Sequence, residues 1–96
     1  MRFETIASSS HGNAYVLDDG WTRILIECGL THKKLTQGMD YALSQIHGVL
    51  ISHEHKDHSG CAEKLLKDGM DVYMSSGTAE ALELPETLLE LAHGIQ

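Results

Sequence analysis

Residues 50–60 read LISHEHKDHSG, which places three histidines and two acidic side chains within the six positions from His53 to His58. Imidazole nitrogens and carboxylate oxygens are the donors that hold zinc, manganese and iron in proteins. In an extended segment residues i and i+2 point the same way, so His53 and His55 are expected to face one ion. Asp57 and His58 follow as the chain turns into a helix, and they offer one oxygen and one nitrogen to a second position. Glu54 and Lys56 are expected to point into solvent. The plain alternative is a solvated histidine-rich loop with incidental metal affinity. The alternation of donor types and the placement of the cluster directly after an apolar strand-like run favour a metal site, because loops at the carboxyl edge of a sheet are where ligands collect in α/β proteins.

The elements that must carry this cluster can be read from periodicity. RFETIA at 2–7 alternates apolar and polar positions as a half-buried strand does. SSSHGN at 8–13 reads as a loop. AYVLDDGWTRILIE forms two β-rich runs around Asp19-Gly20, a hairpin signal, so the first three elements should be antiparallel. Thr31 is placed to cap a helix in which Leu35, Met39, Ala42 or Leu43, and Ile46 recur at helical spacing, interrupted by Gly38. GVLIS at 48–52 suits a strand covered on both faces. Cys61, Ala62, Leu65 and Leu66 form the apolar stripe of a helix that Gly69 would end. DVYM at 71–74 is another short strand, and helical pieces are expected around 77–83 and 86–93, the second opened by Pro85. A β-meander followed by β/α alternation describes an α/β sheet protein.

At 96 residues the chain forms a single domain with a modest core. Its 14 acidic and seven basic residues give a formal charge of −7, which by itself argues against a basic nucleic-acid grip. Bound divalent cations would change that balance locally. No apolar run approaches the length of a signal peptide core or a membrane span, so a cytoplasmic location and no membrane partner are expected. Cys28 and Cys61 lack a tight spacing motif and are expected as reduced thiols. His11, His32 and His47 read as surface or structural histidines. Ser8, Ser9 and Ser10 read as a turn, and His93 falls in a helical pattern.

The motifs carry a resemblance. HEHKDH at 53–58 matches the H-x-H-x-D-H signature of the metallo-β-lactamase fold superfamily. LIECG at 25–29 resembles that superfamily's upstream strand ending in an acid and a glycine, with Glu27 standing where Asp is usual. TIASSSHGNAYVL at 5–17 is similar to the opening of the YycJ/WalJ-like branch, which is associated with metal-dependent exonuclease activity on DNA. The resemblance runs along nearly the whole chain but covers only the amino-terminal half of the superfamily's αββα sandwich, so residues 1–96 are expected to form a single partial domain.

The resemblance implies two divalent ions, zinc or manganese. His53 and His55 would be ligands of the first, and Asp57 and His58 of the second, with Asp57 also contacting the attacking water as the catalytic residue. The later His, bridging Asp and final His that complete the superfamily's site have no counterpart in this sequence. The expectation is therefore a hydrolase of nucleic-acid phosphodiesters that is inactive as this chain alone. The alternatives are a non-catalytic, self-associating half-fold and a hydrolase of thioesters, lactones or β-lactams. An apolar sheet face including Ile24, Ile26, Val49 and Ile51 is expected to be covered by a second copy in a homodimer, or by a carboxy-terminal half.

Overall fold

The computed structural model describes residues 1–39 and 42–95, with Lys56 and Asp57 described at the backbone only. Six strands form one sheet in sequence order: β1 (Arg2–Ser9), β2 (Gly12–Asp18), β3 (Arg23–Ile26), β4 (Gly48–Leu50), β5 (Val72–Ser75) and β6 (His93–Ile95). The first three pair antiparallel and the last three join in parallel. The parallel connections carry the helices α1 (His32–Gly38), α2 (Lys56–Ser59), α3 (Ala62–Lys67), α4 (Ser76–Ala81) and α5 (Glu86–Leu89), with a 3-10 turn at Leu43–Gln45. No helix among the described residues is long and apolar enough to cross a membrane.

The expected hairpin closes as the Asp19-Gly20 signal implies. Asp19 Oδ1 accepts from the backbone N–H of Trp21 at 2.8 Å and of Thr22 at 2.7 Å, and Gly20 takes the left-handed φ of 93° that the turn needs. Thr31 caps α1, accepting from the N–H of Lys34, and the helix ends at Gly38 as its interrupted pattern implies. Gly69, with φ 83°, follows α3 as its stop.

Two segments depart from the sequence reading. SSSHGN is not a loop throughout, because β1 runs to Ser9 and β2 starts at Gly12, leaving a two-residue turn at Ser10-His11. Gly12 lies against the loop that follows β3, where a Cβ would sit 2.6 Å from Leu30 and 2.9 Å from the Gly29 carbonyl. The last helix stops at Leu89, and His93 lies in β6 rather than in a helical pattern. Its ring stacks on Tyr73 with centroids 4.6 Å apart, and its Nε2 lies 3.0 Å from Asp71.

Register sorts the side chains onto two faces. Val16, Leu25, Val49 and Val72 stand side by side across four strands and are fully buried. They pack with Leu35 of α1, Leu65 and Leu66 of α3, Ala79 of α4 and Leu88 of α5 in one cluster. The other face carries Phe3, Leu17 and Ile24 in one row and Tyr15, Ile26, Leu50 and Tyr73 in the next. These remain half-buried or, for Phe3 and Tyr73, exposed. The expected grouping of Ile24 and Ile26 with Val49 and Ile51 is therefore corrected. In a parallel pair Val49 is level with Leu25, so Val49 and Ile51 turn to the helix-covered core while Ile24 and Ile26 stay on the open face.

Candidate metal centre

The site is built where β3 and β4 end side by side. β3 stops at Ile26, and Glu27 takes a left-handed φ of 68°, uncommon for a residue with a side chain and costing roughly 1–2 kcal/mol. Its neighbours hold it there. The Glu27 N–H donates to the Leu50 carbonyl at 2.8 Å, which turns the buried side chain across the end of β4. Its carboxylate accepts from the Ser52 N–H at 2.7 Å and from Ser52 Oγ at 2.6 Å. The same carboxylate takes His58 Nδ1 in close contact.

The chain after β4 then doubles back. The His55 carbonyl accepts from the N–H of His58 and of Ser59, and Ser59 Oγ donates to the carbonyls of Glu54 and His55. This single turn of α2 returns the His58 ring to His53, with centroids 3.9 Å apart. His55 meets His53 edge-on at 4.9 Å and is exposed. Glu54 is half-buried rather than directed fully into solvent.

Ligand-capable atoms of Glu27, His53 and His58 all lie within 4.8 Å of one another. Of the four expected ligands, His53 and His58 belong to this group; His55 touches only the edge of the His53 ring, and the side chain of Asp57 lies outside the described residues. The donor chemistry fits a divalent cation. A carboxylate behind a ligating imidazole is the usual way its orientation and tautomer are fixed, and Glu27 stands in that relation to His58 Nδ1.

Sequence reasoning missed two supports. Asn13 is buried, donates to the Ser9 carbonyl at 3.0 Å, accepts from the Tyr15 hydroxyl at 3.1 Å, and brings Nδ2 to 3.4 Å from His58 Nε2. Its only signal was its place after Gly12 in the SSSHGN segment. Ser52 gave none, since a serine between a strand and a histidine is unremarkable.

The remaining histidines lie elsewhere. His11 is exposed at the β1–β2 turn, His32 pairs with Asp68 at 3.2 Å, and His47 Nδ1 accepts from the Arg23 N–H at 3.0 Å. Both cysteines are buried and unlinked. A hydrogen bond between their thiols raises Cys28 above the ordinary thiol range, as does its burial, and lowers Cys61.

The fold is that of the amino-terminal portion of a metallo-β-lactamase, and the sequence relatives belong to its YycJ/WalJ-like branch. In structure the chain is similar to the metallo-β-lactamase FIM-1 from Pseudomonas aeruginosa in its mono-zinc form, with a TM-score of 0.66 and 13% identity over all of this chain and 51% of that one. It is similar also to a chemotaxis sensor described as a peroxy diiron species of ODP, with a TM-score of 0.72 and 17% identity over 97% of this chain and 40% of that one. In sequence it is 33% identical over 87 residues to the exodeoxyribonuclease WalJ of Streptococcus pneumoniae serotype 2 (strain D39 / NCTC 7466), covering 86% of this chain and 32% of that protein. The family model described as Anti-Pycsar protein Apyc1 matches residues 4–90, and the chain belongs to that family. It spans about a third of the length of the curated relatives it matches.

Proposed function

We propose that this chain is the metal-holding amino-terminal part of a metal-dependent hydrolase that cleaves nucleic-acid phosphodiesters. The observation that carries the reading is the convergence of Glu27, His53 and His58, whose ligand-capable atoms lie within 4.8 Å of one another. His53, His55, Asp57 and His58 would hold up to two divalent ions, zinc or manganese, with Glu27 and Ser52 fixing the loop that carries them. Such ions lower the pKa of a bound water and polarise the phosphoryl oxygen under attack. Within that arrangement Asp57 is proposed to orient the water. The printed name of the Streptococcus pneumoniae relative supports DNA as substrate. The two unlinked thiols support a cytoplasmic location.

Catalytic zinc sites usually take three protein ligands per ion, and the four proposed donors supply two each. We therefore expect little turnover from the 96 residues alone. The open sheet face supports a partner surface: rows of apolar side chains of this extent are rarely left to water. A second copy of the chain would cover it in an isologous dimer, as a complementary carboxy-terminal half would in a longer protein. The test of the function is hydrolysis of single-stranded DNA with zinc or manganese supplied. Weak or absent turnover is expected. Robust chelator-sensitive turnover lost in Asp57→Ala would support the nuclease reading and overturn the expected inactivity, and metal-independent turnover would overturn both.

A further inference from the structure

Cys28 and Cys61 play no part in the proposed site, yet the fold brings them together from opposite sides of it. Cys28 follows Glu27 in the loop after β3, and Cys61 precedes α3. The Cys61 N–H donates to the Cys28 carbonyl at 3.0 Å, and the Cys28 N–H donates to the His58 carbonyl at 2.7 Å. A direct backbone hydrogen bond brings the two residues close together, and a disulfide joins residues whose Cα atoms lie about 4.4–6.8 Å apart. Both side chains belong to the same buried core cluster. Cys28 is fully enclosed and Cys61 nearly so; Gly60 and Ala62, on either side of Cys61, line a cavity of about 270 Å³ whose lining does not include Cys61 itself. A hydroperoxide no larger than two waters is of a size to enter there.

We infer that Cys28 and Cys61 are a redox modification site, closing to an intramolecular disulfide when the chain meets a hydroperoxide. Cys61, the less enclosed thiol, would attack one peroxide oxygen. The O–O bond breaks, one oxygen leaves as water, and Cys61 becomes a sulfenic acid. The Cys28 sulfur then attacks the Cys61 sulfur, and the S–O bond breaks. The second oxygen leaves as water with the Cys28 proton. Two thiols lose two electrons in all, and the peroxide gains them. The bridge would staple the loop carrying Glu27 to the turn that follows His58, the two segments whose contact frames the metal site.

The test is exposure of the full native chain, freed of metal by chelator, to hydrogen peroxide, so that its outcome is independent of metal binding. The expected product is a single covalent chain two hydrogens lighter by denaturing mass analysis, with both thiols lost, Cys28 and Cys61 linked in the peptide map, and full recovery on treatment with dithiothreitol. The oxidised chain should also melt at a higher temperature, because the bridge constrains its unfolded state. In Cys28→Ser the reaction should stop at a sulfenic acid on Cys61 that dimedone traps. Retention of both thiols, linkage between chains only, or independent over-oxidation of each cysteine would overturn the inference. These results are read on the wild-type chain, so they stand even if the serine variant does not fold.

Discussion

Glu27 joins backbone geometry to site chemistry. It occupies a left-handed φ that a glycine would adopt freely, and its carboxylate serves Ser52 and His58 from a buried position. Removing it in Glu27→Ala strands the Ser52 N–H and the His58 Nδ1 proton, at a cost of about 1–3 kcal/mol. Urea denaturation measures this, and Glu27→Gln, which keeps a carbonyl acceptor, should lose less. Loss of a carboxylate behind a metal-bound imidazole typically weakens the ion about 10–100-fold, so zinc titration of Glu27→Ala should show a drop of that order. Unchanged affinity would remove Glu27 from the account. The histidines themselves were legible in the sequence because donor type and spacing are local properties. Glu27 was legible only as a departure from a motif, and Asn13 and Ser52 hardly at all. Their roles are contacts across 25 to 45 positions, which no window of sequence displays.

Elements were legible where one local rule decided them. The β2–β3 hairpin is the clearest case, since Asp19 fixes its turn through two backbone N–H groups. Those hydrogen bonds, from Thr22 first and Trp21 next, hold the Asp19 carboxyl below its ordinary value of 3.8. A carboxyl with a depressed folded-state pKa contributes stability that is present above its unfolded value and is lost as pH falls through the folded value. Asp19→Ala should therefore melt at a lower temperature than the wild type at neutral pH, and the two should converge as pH drops below about 4. A difference that persists undiminished at pH 2 would contradict this origin. The end of the chain was misread for the opposite reason. LLELAHGI spaces its leucines as a helix does, yet Leu89 and Leu91 are exposed. His93–Ile95 becomes a strand because the edge of β5 offers backbone partners and Tyr73 offers a ring to stack on. A sheet edge made by distant residues outweighs a short local pattern.

At the scale of the molecule, one sheet face is sealed by helices and the other is not. The sequence announced an apolar sheet but assigned its residues to the wrong faces, because register, not hydropathy, decides which of Ile26 and Val49 turns inward. The proposed self-association predicts sedimentation as a dimer at micromolar concentration, and Ile26→Lys, which sets a charge in the middle of the open face, should shift it to monomer. A folded, cooperative wild-type monomer would refute the dimer. The central claim, however, is that this half-sheet exists to hold a divalent ion at His53–His58. Elemental analysis of the chain purified without chelator, beside its His53→Ala/His55→Ala double variant, tests that claim most directly. The account predicts zinc or manganese bound to the wild type and at least about a tenfold loss in the variant; equal metal content in the two would contradict it.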